Sequence, residues 1–185
     1  MRIIGGLWRS RKLSFPAVAG LRPTPGRVRE TLFNWLRDDV ESARCLDLFA
    51  GSGALSFEAA SRGAAKVVQV ESDARVVTAL AANRTLLRAD QVTVLREDAL
   101  HYLAGPAETF DLVFLDPPFR QAKVAEAAAL LEVGGWLTPF AKIYIETEPE
   151  LALDDLPSGW ALLRRGRAGD VAYFLYQRNL VQGPP

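Results

Sequence analysis

At 185 residues, 49% hydrophobic and 24% charged, the chain has room for one well-buried core and the make-up of an ordinary folded domain, which excludes a disordered or fibrous protein. No apolar run approaches the ~20 residues that cross a bilayer. Met1-Arg2-Ile3-Ile4 runs straight into Gly5-Gly6 rather than a signal-peptide core, so a cytoplasmic protein without membrane contact is expected. Formal charge is zero, yet residues 1–37 hold eight Arg and Lys against Glu30 alone, a net +7 that the remainder balances. A basic arm on an acidic body suits a polyanionic partner, although a solvated cationic surface has the same composition.

Residues 1–23 mix short apolar and basic pieces with Gly5, Gly6, Pro16, Gly20 and Pro23, which predicts an irregular arm with a small hairpin. A helix follows: Thr24 is expected to cap it and Pro25 to open it. Val28, Leu32, Trp35 and Leu36 form one buried face, with Arg27, Arg29 and Arg37 turned away. From Ala43 onward, strand-like runs at 45–49, 66–70, 92–95, 110–115 and 142–146 alternate with helical spacings at 55–62, 73–88, 99–104 and 122–133. That alternation calls for a doubly wound α/β sheet, parallel and covered on both faces. Residues 160–167 and 171–177, joined by Ala168-Gly169-Asp170, predict an antiparallel hairpin at the sheet edge, and 181–185 reads as a tail. The expected organisation is thus an N-terminal extension over 1–37, the main α/β domain over 38–180 and the tail.

Leu46-Asp47-Leu48-Phe49-Ala50-Gly51-Ser52-Gly53-Ala54-Leu55-Ser56 is an apolar strand breaking into a glycine-rich turn and then a helix, the form of a cofactor-site floor. Alone it fits NAD, a phosphate or S-adenosylmethionine. Phe49, Ala50, Gly51 and Gly53 are the expected cofactor contacts of the turn. Glu71, 18 residues after Gly53 and followed by Ser72, stands where a carboxylate can accept from a ribose diol. Asp98 can accept from an adenine amine while the Ala99 N–H donates to the ring, and Asp47 can meet an ammonium. Each acid alone reads as a helix cap or surface charge. Three at successive strand ends fit a ligand with both ribose and ammonium, which favours S-adenosylmethionine over NAD.

Asp116-Pro117-Pro118-Phe119 follows the apolar strand at 110–115. An exocyclic base amine is a poor nucleophile, because its lone pair is delocalised into the ring. A carboxylate oxygen of Asp116 and the Pro117 carbonyl can take its two hydrogens, with the prolines holding these acceptors rigid. Phe119 offers a ring for an extruded base. The bland alternative is a proline-rich turn after a buried strand. His101 is the single histidine and Cys45 the single cysteine, in an apolar run where a structural thiol is expected, so metal sites and histidine triads lack support. The four tryptophans read as packing residues, although Trp8 stands among Arg2, Arg9, Arg11 and Lys12.

The chain resembles the bacterial small-subunit rRNA guanine-N2 methyltransferases, the RsmD family. The likeness runs through Arg2-Ile3-Ile4-Gly5-Gly6 with Trp8-Arg9 and Arg11-Lys12-Leu13, Leu21-Arg22-Pro23-Thr24, and Arg27-Val28-Arg29-Glu30-Thr31-Leu32-Phe33-Asn34. It continues through 46–55, 116–119 and the closing Val171-Ala172-Tyr173 with Leu175-Tyr176. The glycine-rich and Asp-Pro-Pro-aromatic motifs recur among many methyltransferases; the arm and the 22–34 segment discriminate more. The resemblance implies a Rossmann-like class I S-adenosylmethionine-dependent sheet acting as a cytoplasmic monomer, without metal, on one guanine of 16S rRNA in a small-subunit particle. It further implies that Arg22, Thr24, Arg27 and Arg29 flank the cofactor and RNA entrance, while Asp116, Pro117 and Phe119 hold the guanine. Arg2, Arg9, Arg11 and Lys12 are the expected RNA contacts of the arm. Ser56 departs from a frequent glycine, with a local adjustment expected. DNA adenine-N6 and protein-glutamine methyltransferases use related loops, but the first wants a target-recognition region with no room here and the second an asparagine at position 116. A nicotinamide oxidoreductase predicts no role for Asp116, and a noncatalytic RNA-binding module predicts indifference to S-adenosylmethionine.

Overall fold

The computed structural model describes residues 1–18, 20–21, 23–118 and 123–179. Arg22, Phe119 and the tail at 181–185 therefore lie outside the described residues. In chain order the elements are α1 (Gly26–Trp35), β1 (Arg44–Asp47), α2 (Ala54–Ser61), β2 (Lys66–Glu71), α3 (Ala74–Leu87) and β3 (Val92–Arg96). Then follow α4 (Ala99–Leu103), β4 (Phe110–Leu115), α5 (Lys123–Val133), β5 (Leu137–Thr147), β6 (Trp160–Ala168) and β7 (Val171–Arg178).

The strands form one sheet in the order β3-β2-β1-β4-β5-β7-β6. β1 to β5 pair in parallel, and β7 and β6 close the edge antiparallel, the doubly wound Rossmann-like sheet and hairpin that the alternation predicts. The order reverses between β1 and β4. Connections leave that point toward opposite faces of the sheet, so a crevice opens beyond the strands' carboxyl ends.

α1, α2, α3 and the arm cover one face, where Ile3, Trp8 and Leu13 share a core with Leu32, Cys45, Phe57, Val67 and Phe114. α4 and α5 cover the other over Val70, Phe110, Val113, Leu131, Ile143 and Ile145. All eight residues of α2 are buried, because it has the sheet on one side and the arm and α1 on the other. In α5 the inward face is Val124, Ala127, Ala128 and Leu131, the i, i+3, i+4, i+7 stripe of a surface helix.

β5 begins five residues before the predicted strand. Pro139 interrupts the apolar pattern there, yet a bulge accommodates it: Phe140 takes φ 67° and the β4 pairing shifts register between Phe110 and Leu112.

The arm is a narrow loop of chain bridged at Arg2 and Lys12, held by Ile3 N–H to Arg11 O at 3.0 Å and Leu13 N–H to Met1 O at 2.9 Å. Its anchor is Glu58, fully buried, whose carboxylate accepts from the N–H groups of Ile4 (2.9 Å) and Gly5 (2.8 Å) and from Arg62 Nε (2.9 Å). Gly6 has φ +74°, and a Cβ there would sit 1.9 Å from the Ser61 carbonyl oxygen, so only glycine passes.

Two expectations about α1 are corrected. Thr24 does not cap it: Pro25 stands at the N-cap without a side-chain bond. Arg29 does not face outward. It is 5% exposed, donates to the carbonyls of Thr24 (3.2 Å) and Arg2 (3.1 Å), and pairs with Glu58 at 3.4 Å. A buried carboxylate needs a counter-charge, and the segment before α1 brings Arg29 to it.

Candidate active site

β1 ends at Asp47, and the chain turns through Phe49 to Gly53 into α2. Ala50 N–H donates to Val70 O at 3.0 Å and Gly53 N–H to Ala50 O at 2.7 Å, which fastens the turn to β2. Gly53 has φ +72°, and a Cβ on it would lie 2.6 Å from the Phe57 ring and 2.8 Å from Leu80. Glu71 clamps the turn from β2, accepting from Gly51 N–H (3.0 Å) and Asp73 N–H (2.9 Å). Asp98 caps α4, accepting from the N–H groups of Leu100 (2.9 Å) and His101 (3.2 Å), with Lys123 Nζ 3.7 Å away.

These pieces surround a cavity of about 340 Å³ at the β1/β4 switch point. That is within the ~300–1,000 Å³ of small-molecule sites. Of the predicted residues, Asp47, Phe49, Ala50, Gly51, Glu71, Ser72, Asp98, Ala99, Asp116, Pro118 and Thr24 line it. Gly53 and Pro117 do not; both are buried, Gly53 shaping the turn and Pro117 the exit of β4. Sequence reasoning missed Val18, Gly20 and Leu21, which descend from the arm to form one wall, and Lys123 at the start of α5.

Asp47 and Asp116 stand on the two strands that flank the reversal. Asp47 is 2% exposed, and its carboxyl is pushed up to about 7, first by burial and then by the charge of Glu71, while hydrogen bonds from Ser56 and Phe49 oppose the rise. Ser56 is fully buried and its hydroxyl also accepts from Gln69 Nε2 at 2.8 Å. The serine thus joins Asp47 to β2, a larger role than the local adjustment expected of it.

Asp116 follows Leu115, which pairs with Ile145, so its neighbour across the sheet is Glu146. Burial holds the Asp116 carboxyl well above the ordinary range, and Glu146 and Asp47 add to it. Glu146, 4% exposed and also raised by burial, accepts from Tyr144 OH at 3.0 Å and from the Thr24 hydroxyl. It ends the predicted fifth strand in the same pattern as the other acids, the signal that would have found it. Asp47 and Asp116 line the cavity and Glu146 stands beside Asp116, so the site suits a cationic ligand.

The arm's cations lie elsewhere. Leu7 N–H bonds Ser61 O at the end of α2, and Arg11 reaches Leu86 O at 3.3 Å near the end of α3. Arg9, Arg11 and Lys12 are exposed beside those carboxyl ends, about 12 Å, the length of α2, below the cavity rim. Arg2 and Arg27 are exposed as well, whereas Trp8 is 7% exposed within the core and does not reach outward.

The family described as Conserved hypothetical protein 95 matches residues 1–177. The chain is 49% identical over 179 residues to Ribosomal RNA small subunit methyltransferase D of Escherichia coli (strain K12), covering 97% of this chain and 90% of that protein. The solved structure of yhhF from Escherichia coli superposes with a TM-score of 0.90 at 49% identity, covering 97% of this chain and 98% of the other. A more distant likeness, of fold alone, is to an RNA methyltransferase from Salinibacter ruber solved in complex with S-adenosyl-L-homocysteine, with a TM-score of 0.63 at 20% identity over 89% of this chain and 97% of the other.

Proposed function

The chain belongs to the family described as Conserved hypothetical protein 95, the RsmD family, and from that premise we propose that it transfers a methyl group from S-adenosylmethionine to the exocyclic N2 amine of one guanine in 16S rRNA. S-adenosylmethionine-dependent rRNA methylation rests on the family and its relatives. The guanine and its N2 amine are the finer reading. In it the protein acts as a cytoplasmic monomer, without metal, on the small-subunit particle. One observation carries it: the acid ending β1 and Asp116 and Pro118 of the turn after β4 open into the same cavity at the sheet's switch point.

The residues fit the cofactor. A ligand bearing both a sulfonium and an ammonium relieves the strain of Asp47, Asp116 and Glu146, whose carboxyls burial has raised. Glu71 and Ser72 on β2's end suit the ribose, Asp98 and Ala99 the adenine, and Phe49 and Ala50 the floor. When bound, the cofactor supplies an electrophilic methyl carbon.

The remaining work belongs to the chain. Ionised Asp116 and the Pro117 carbonyl accept the amine hydrogens and draw the nitrogen lone pair out of the ring. Transfer would break the methyl–sulfur bond, the sulfur leaving as a neutral thioether, and would place positive charge on the amine nitrogen; Asp116 would stabilise that charge and take one amine proton, which passes on to water. Tyr144 and Thr24 keep Glu146 hydrogen-bonded beside it, so the two carboxylates stay in place as charge changes. Phe119 keeps its assignment as the base-stacking ring from sequence.

The test is incubation of the purified protein with labelled S-adenosylmethionine and small-subunit particles from cells lacking it, then mass mapping of the modified nucleosides. One N2-methylguanosine is expected; label on adenine or on protein would refute the target. Asp116→Ala is expected to abolish transfer while leaving cofactor affinity within a few-fold, read by calorimetry, and strong loss of affinity would assign Asp116 to cofactor binding instead.

A further inference from the structure

The sheet edge carries a second cationic surface that the arm does not explain. β6 is the outermost strand and bonds only to β7 in the sheet order. Arg164, Arg165 and Arg167 on it are exposed, and among the described residues no carboxylate forms an ion pair with any of the three. Their guanidinium bonds are local: Arg164 to Leu163 O at 3.1 Å and Arg167 to Gly169 O at 3.3 Å.

Register ties this edge to the reacting end of the sheet. Leu115, the residue before Asp116, pairs with Ile145, Ile145 with Phe174, and Phe174 with Arg165. Arg165 thus lies one row before that of Asp116, three strand spacings or roughly 14 Å from Leu115. Arg167 is two rows further along, one past that of Asp116, opposite Ala172, whose β5 partner is Thr147.

Cross-strand partners share a face, so Arg165 and Arg167 lie on the side of Phe174 and Tyr176. Those two rings are partly exposed, with centroids 6.4 Å apart, and Leu162 beside Tyr176 is 45% exposed. Exposed guanidiniums interleaved with aromatic rings are how proteins hold single-stranded nucleic acid: cations meet the phosphates and rings take the bases.

We propose that the face of the β6–β7 hairpin that carries Arg165 and Arg167 beside Phe174 and Tyr176 grips an unpaired stretch of rRNA flanking the target nucleotide. The inference rests on the rRNA reading above. It gives the RNA a contact in the rows on either side of Asp116, whereas the arm's cations sit at the opposite ends of α2 and α3.

The experiment measures binding of the full-length protein to small-subunit particles from cells lacking it, over a salt series, for wild type and for R165A/R167A. The variant is expected to keep wild-type S-adenosylmethionine affinity and kcat, to raise KM for particles about tenfold or more, and to lower the slope of log K against log salt by up to about two. Ultraviolet crosslinking of the wild-type complex is expected to leave nucleotide adducts on Phe174 or Tyr176. An unchanged slope and KM would overturn the proposal. So would hairpin crosslinks to a ribosomal protein in place of RNA. Wild type that methylates no rRNA refutes the functional reading itself, while active wild type with an indifferent variant refutes only the hairpin.

Discussion

At the scale of single residues, Asp47 shows how burial writes a pH dependence into the site. Its carboxyl, ordinarily near 3.8, is pushed up to about 7 by burial. The folded chain then holds a proton that the unfolded chain releases, so this group's stabilising contribution is present below about pH 4 and is lost as pH rises through about 7. A cationic ligand needs the carboxylate, so cofactor affinity is expected to rise with pH, up to about tenfold per unit below 7, and to level off above it. Calorimetry in buffers of different ionisation heat at pH 6 should record nearly one proton released on binding, and Asp47→Asn should remove it; no release would mean that Asp47 does not face the cofactor's charge. Gly53 is a second case. Alanine there meets both a positive φ and the Phe57 and Leu80 side chains, so Gly53→Ala is expected to cost about 2–4 kcal/mol by denaturant unfolding. Sequence spacing found these residues because strand-end acids and turn glycines are local signals. It missed Glu146 because one more acid at a strand's end means little until the register puts it beside Asp116.

Among elements, the arm and α1 behave as one unit with α2, joined through Glu58. That carboxylate accepts from two arm amides and pairs with Arg29 and Arg62 inside the protein. Glu58→Ala leaves Arg29 buried without its counter-charge and is expected to cost about 3–5 kcal/mol. Hydrogen exchange should quicken at Ile3 and at Leu13, whose bonds close the arm, before the sheet is affected; uniform exchange across the chain would show that the arm does not depend on this anchor. The helical spacing of α1 was legible in its apolar residues. Arg29 was not, because an arginine reads as outward-facing until a buried acid from another element claims it. Conversely, the all-buried α2 lacks a polar face, and only its placement between sheet and arm accounts for that.

For the whole molecule, the balance of charge hides two basic surfaces on different ends of the sheet. Neutralising Arg9, Arg11 and Lys12 is expected to weaken particle binding and to lower its salt slope by about two to three, with kcat unchanged. An unchanged slope would leave the hairpin as the sole cationic contact of the two. The composition and alternating periodicities by themselves determined the doubly wound class, the order of strands and helices and the two loops of the cavity, because hydrophobic period and turn chemistry act over a few residues. Tertiary structure alone decided which carboxylates share the cavity, that Arg29 is spent internally, and that Arg165 and Arg167 fall in the rows on either side of Asp116. Those facts depend on strand order and register, which join residues as far apart as 115 and 165 through pairings that no short stretch of chain contains.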